Sequence, residues 1–168
     1  LGLALNYYSV NAGGHLEGNG ANLDIGFARQ FDQLDFSGVI QNAIPDQNIE
    51  YSNNGDSEKI PMRYAIAGKY KPVSYASVFS ELKKYEFHTD VFWSSALEYA
   101  LFNKRLTTVD WFFRMGHRNF PVSPVRSRSS TTFGMGVVFN FLTLDYSYQV
   151  SEHPDFDFQH YFSLALNF

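Results

Sequence analysis

The chain has 168 residues and no Cys, a length that fits one domain or a piece of one. The missing thiols exclude a disulfide scaffold, a thiolate zinc site and a cysteine nucleophile. A net charge of -4 disfavours a general nucleic-acid binder, and an aromatic content of 18%, with 17 Phe and 11 Tyr, excludes intrinsic disorder.

No run of residues approaches the roughly 20 consecutive apolar positions of a membrane helix. The dominant period is instead two, the mark of strands with one apolar face. Leu1, Leu3, Leu5 and Tyr7 lie opposite Gly2, Ala4, Asn6 and Tyr8. Leu23, Ile25 and Phe27 then oppose Asn22, Asp24, Gly26 and Ala28, and Leu34, Phe36 and Ile40 oppose Asp35, Ser37 and Gln41. Met62, Tyr64, Ile66 and Tyr70 stand against Arg63, Ala65, Ala67 and Lys69. Tyr75 to Lys83 reads as a strand whose parity is ambiguous, and Val91, Trp93, Leu97, Tyr99 and Leu101 oppose Ser94, Ala96, Glu98 and Ala100. Val109, Trp111, Phe113 and Met115 face away from Asp110, Arg114 and Gly116. Phe133, Met135, Val137, Phe139 and Phe141 oppose Thr132, Gly134, Gly136 and Asn140. A turn near Phe141 to Thr143 leads to Leu144, Tyr146 and Tyr148 against Asp145, Ser147 and Gln149. Phe162, Leu164, Leu166 and Phe168 close the chain against Tyr161, Ser163, Ala165 and Asn167. About ten strands result, and no amphipathic helix.

Alternation alone does not say which face meets solvent. The composition of the second face does: it is mostly Gly, Ala, Ser and Asn with charges of both signs, rather than the long polar residues of a wetted soluble sheet. Small and polar residues suit the interior of a closed barrel, which leaves the bulky face to lipid. In strands of clear parity only Arg29 and His160 interrupt the bulky face, both near strand ends. An Arg or Lys at the bilayer midplane of a barrel costs roughly 2–4 kcal/mol, so this segregation of charge is expected of a membrane barrel.

Connection lengths point the same way. Long polar connections are expected at Asn11 to Gly20, Pro45 to Ile60 and Asn119 to Ser129, and short ones at Phe31-Asp32, Lys71 to Ser74 and Asn103-Lys104. Outer-membrane barrels alternate long external loops with short periplasmic turns. The expected fold is therefore an antiparallel transmembrane β-barrel over residues 1–168, in the outer membrane of a Gram-negative-type envelope. The chain opens in mid-pattern with Leu1, which suggests that N-terminal strands precede it.

The run from Phe133 to Tyr148, FGMGVVFNFLTLDYSY, resembles the last hairpin of the PorV/PorQ-like family within the FadL-like outer-membrane barrels. The Phe162, Leu164, Leu166, Phe168 run is similar to the C-terminal signature read by barrel-assembly machinery, and Pro61 to Gly68 and Arg114 to Arg118 resemble earlier strands of the family. The resemblance implies a fourteen-stranded barrel with an N-terminal plug, of which this chain would be the C-terminal part. It also implies a secretion or surface-anchoring component that works by binding other envelope proteins. FadL-like uptake of hydrophobic small molecules is the alternative, and a self-contained ten-stranded barrel remains compatible with the even strand count.

Chemical motifs are sparse. His15, His88, His117, His153 and His160 show no metal-ligand spacing, and neither a G-x-S-x-G elbow nor a P-loop occurs, so no cofactor and no enzyme activity are expected. A barrel-borne hydrolase would have to use Asp155, Asp157 and His160 near the last external loop. The lumen-facing candidates are Asp24, Arg63, Lys69, Glu98, Asp110, Arg114 and Asp145, read either as a polar path or binding cavity or, preferably, as mutually neutralising pairs. Arg118, Arg126 and Arg128 form a basic external loop suited to lipopolysaccharide phosphates or an acidic partner.

Overall fold

A computed structural model of the chain describes residues 1–12, 16–52, 56–102, 109–123, 126–139, 141–152 and 157–166. These residues form one antiparallel sheet of twelve strands and contain no helix. The strands are β1 (Gly2–Ala12), β2 (Leu16–Gln30), β3 (Leu34–Gln41), β4 (Asn48–Tyr51), β5 (Ser57–Lys59) and β6 (Arg63–Val73). They continue as β7 (Ala76–Tyr85), β8 (Val91–Phe102), β9 (Val109–Ser123), β10 (Arg126–Phe139), β11 (Leu142–Ser151) and β12 (Phe158–Leu166). The long strands lie side by side in the order β1-β2-β3-β6-β7-β8-β9-β10-β11-β12, and the β4-β5 hairpin is attached to the upper part of β2 through Gly18↔Tyr51. Up-and-down neighbours of this kind need only short connections.

The ten long strands are those expected from the alternation. Their ends are not. β1 and β2 stay paired from Gly2↔Gly26 to Ala12↔Leu16, through most of the segment expected as a long loop. Likewise β9 and β10 remain paired up to Arg126↔Ser123. The connection from Pro45 to Ile60 holds the additional hairpin. The reason is that a backbone ladder does not depend on side-chain polarity, whereas the alternation marks only the stretch with one apolar face. Asn103-Lys104 and the terminal Phe168 lie outside the described residues.

The pairing also assigns β7. Lys69↔Phe79 and Phe79↔Ala96 place Phe79, Glu81, Lys83 and Tyr85 on the small, polar face, with Val78 and Leu82 on the bulky one. Along this strand large residues stand on both faces, so apolarity alone gave no parity.

The bulky face is open to the surroundings. Phe133 is 46% exposed, Phe139 42%, Leu164 64% and Phe162 80%. Among the described residues the buried apolar side chains are only Ile60, Ala65, Phe92 and Ala100. One sheet has no second layer on which to bury a face, and nothing here packs across it. Two cationic side chains on the bulky face sit at strand ends: Arg29 lies 5.6 Å above the Phe31 ring, and Lys84 Nζ donates to the carbonyls of His88 (2.6 Å) and Thr89 (2.5 Å). The sheet is not closed, since β1 pairs with β2 alone and β12 with β11 alone.

Candidate functional site on the polar face

Strand alternation puts every second residue of β8 to β11 on one surface, and register then sorts those residues into levels. On the lower level Glu98 of β8 is directly opposite Arg114 of β9. Arg114 Nε donates to Glu98 Oε2 at 2.8 Å, and its Nη1 donates to Asp145 Oδ1 on β11 at 2.6 Å. The second contact passes over β10, where Gly136 is the register partner of Asp145 and offers no side chain to block it. Two carboxylates and one guanidinium thus tie three strands together.

Four residues further along β9 is a different environment. Arg118 faces Ser94 of β8 on one side and Ser130 of β10 on the other, and Ser130 pairs in turn with Ser151 of β11. Arg118 Nε donates to Ser130 Oγ at 3.2 Å, and the guanidinium carbon stands 5.6 Å above the Phe120 ring. The cavity at this level has a volume of about 280 Å³ and is bounded by Phe79, Glu81, Ser94, Arg118, Thr132 and Gln149.

The other candidates expected to face a lumen are separate local arrangements on the polar face. Asp24 Oδ1 accepts the amide of Asn42 at 2.8 Å, which fixes the segment leaving β3. Arg63 packs over Tyr85 at 5.9 Å and Lys69 over Phe79 at 4.7 Å. Asp110 is half-buried and joins no ion pair among the described residues. Of the seven candidates, the fold therefore brings together Glu98, Arg114 and Asp145. Sequence reasoning missed Lys83, which pairs with Glu81 at 2.7 Å, and Lys71, which pairs with Asp35 at 3.1 Å. The spacing of Phe79, Glu81 and Lys83 by two was the available signal for the first pair.

The basic loop is corrected by the pairing. Arg118 belongs to β9 and Arg126 and Arg128 to β10, with Arg128↔Phe120 and Arg118↔Ser130 as ladder partners. An acid adjoins these arginines: Glu152 accepts the Ser129 amide at 2.8 Å through Oε2, and its carbonyl accepts Arg128 Nη1 at 2.9 Å. Hydrogen bonds from Ser129 hold the Glu152 carboxyl below the usual range. A second rim contact joins β5 to the end of β7. Lys59 Nζ lies 2.5 Å from Glu86 Oε1 and 3.0 Å from Asp46 Oδ1, while Glu86 Oε2 accepts the Met62 amide at 2.9 Å.

Three histidines are described. His88 is buried, with Nε2 2.9 Å from the Ser123 carbonyl and Nδ1 accepting the Asp90 amide at 3.2 Å. His117 Nδ1 is 2.9 Å from Thr131 Oγ1, and His160 Nδ1 is 2.9 Å from the Tyr146 hydroxyl on the bulky face. Asp157 is exposed and uses its carbonyl to accept the Ser151 amide at 3.0 Å, so the structure does not assemble it with His160. His15, His153 and Asp155 lie outside the described residues. No cluster of His, Asp and Glu suited to a metal ion occurs among the described residues. Comparison with family models, with curated proteins and with solved structures finds no match.

Proposed function

We propose that this chain is wall of an outer-membrane β-barrel and serves as a PorV/PorQ-like component of a secretion or surface-anchoring assembly, acting through protein partners. The observation that carries the membrane reading is inverted polarity: Phe133, Phe162 and Leu164 are exposed, while Glu98 and Asp145 both pair with Arg114 on the opposite face. An exposed apolar surface of this extent is untenable in water and natural in acyl chains. The apolar stretch of β8, Val91 to Leu101, covers about 33 Å at ~3.3 Å per residue, and a tilt of ~40° reduces this to about 25 Å, the height of a barrel's apolar band.

Hydrocarbon offers no hydrogen-bond partner, so the two edges at β1 and β12 have to be paired in the membrane, with each other or with further strands. Their directions permit it, because ten alternating strands leave the edges antiparallel. The partner-binding role follows from the family resemblance and is supported by the β4-β5 hairpin and the polar ends of β9 and β10, which extend the sheet beyond its apolar band. Uptake of hydrophobic molecules has less support, since the polar face carries hydroxyls, glycines and ion pairs where an apolar passage would be needed.

Purification from outer-membrane fractions in mild detergent tests the reading. Envelope proteins recovered in fixed ratio, together with cargo held in the periplasm on deletion, are the expected result. A partner-free barrel with a lipid-like molecule inside would favour uptake instead, and recovery from the soluble fraction would end the membrane reading.

A further inference from the structure

Arg114 and Arg118 occupy the same face of the same strand, two levels apart, yet differ in how their charge is met. Arg114 is held between two carboxylates. Among the described residues Arg118 has no carboxylate within ion-pair distance, and its one hydrogen bond is the 3.2 Å contact from Nε to Ser130 Oγ. The acid on its level, Glu81, is two strands away and is already engaged by Lys83 at 2.7 Å and by the Ser94 hydroxyl at 3.3 Å. Arg118 therefore lines the 280 Å³ cavity with no acidic side chain paired to it among the described residues.

We infer that this cavity is a binding site for a small oxyanion, a carboxylate or a phosphate. A guanidinium presents a planar pair of donors that matches two oxygens of such a group. Ser130 lines the same cavity beside Arg118, and its hydroxyl, which accepts from Arg118 Nε, retains a proton to donate. Thr132 and Gln149, paired with each other on the next level, supply further donors at the cavity wall. The Phe120 ring, 5.6 Å from the guanidinium carbon, restricts the side chain, which lowers the entropy lost when an anion binds. A volume at the lower edge of ordinary ligand pockets limits the occupant to a small solute or a single headgroup. The inference rests on this face lining the barrel interior.

The test uses the protein in detergent micelles, titrated calorimetrically with inorganic phosphate and, separately, with succinate. Saturable binding of at least one anion is expected, weakened about tenfold or more in R118Q, as for loss of a bidentate charge-assisted contact. R118K should recover part of it, since the charge returns without the fork. S130A, expected to weaken binding a few-fold, serves as second probe if R118Q does not assemble. Phosphate alone or succinate alone identifies the class of oxyanion, and either supports the site. Absence of saturable heat with both, or wild-type binding by R118Q and S130A, overturns it. Strand content by circular dichroism and insertion into vesicles are read on the same preparation, so a failed barrel is distinguishable from a failed site.

Discussion

Arg114 of β9 reaches Asp145 of β11 at 2.6 Å across an intervening strand, and Gly136 of β10 is what leaves the passage open. A Cβ on Gly136 would collide with Asp145 Oδ1, whereas one on Gly134 would stand at ordinary contact, 3.4 Å from the Tyr146 carbonyl and 3.6 Å from Arg114 Cβ. Gly136→Ala should therefore separate the pair and destabilise the sheet by about 1 kcal/mol, the modest scale set by a side chain that is 45% exposed. Gly134→Ala should be neutral or slightly stabilising through the lower entropy of the unfolded chain. Urea unfolding in detergent, followed by circular dichroism, measures both. Equal effects from the two substitutions would show that the ion pair needs no gap.

Strand identity and facing were legible in the sequence because bulky apolar side chains occupy alternate positions along strands that present one apolar face. Glu98, Arg114 and Asp145 were legible as residues of one face for the same reason. Which of them touch was not, since it depends on a register that carries Arg114 past Gly134 and Gly136, and register is a property of paired strands. The misplaced basic loop has a related cause. Arg118 and Arg128 lie where the bulky face ends, and polarity there was read as the end of the strand although the ladder continues.

Met135 and Thr132 are three residues apart on β10 and point to opposite faces, Met135 outward and 44% exposed. In water an Arg at Met135 would be almost free of cost, because the site is open. Against acyl chains it should cost roughly 2–4 kcal/mol near the midplane. Met135→Arg is thus expected to reduce spontaneous insertion into phosphatidylcholine vesicles strongly, and Thr132→Arg, facing the polar side, to leave insertion close to wild type. Comparable insertion by the two variants would refute the assignment of the outer face.

The rim contact between β5 and the end of β7 should respond to pH. Its hydrogen bonds from Lys59 and from the Met62 amide hold the Glu86 carboxyl below the usual range, and Glu86 and Asp46 hold the Lys59 amine above its own. For a carboxyl whose folded value is depressed, the stabilisation is present above the unfolded value, near 4.5, and is lost as pH falls through the folded one. For an amine whose folded value is raised, it is present below the unfolded value, near 10.5, and is lost as pH rises further. The contact is closed between these limits. Exchange of the Met62 amide, followed by mass spectrometry and corrected for the intrinsic pH dependence, should accelerate in wild type as pH falls from 4.5 through the depressed folded value. In Glu86→Gln the acceleration should be present already at neutral pH. A wild-type profile that stays flat into acid would mean that the amide is protected by something else.

The chain has two tryptophans, and both face outward: Trp93 is 44% exposed and Trp111 41%. Trp111 shares a level with Leu101, eight residues along β8 from Trp93, so the two rings are about 26 Å apart along the strand direction. If the chain spans an outer membrane as proposed, a tilt of ~40° converts this into about 20 Å along the membrane normal and would place one ring near each interface, where aromatic girdles belong. Lipids brominated close to the headgroup should therefore quench both tryptophans more than lipids brominated near the chain terminus. Trp93→Phe and Trp111→Phe, each leaving a single emitter, should report similar depths on opposite sides. A ring quenched chiefly by acrylamide from water, or chiefly by bromines at the bilayer centre, would require a different tilt or a different band.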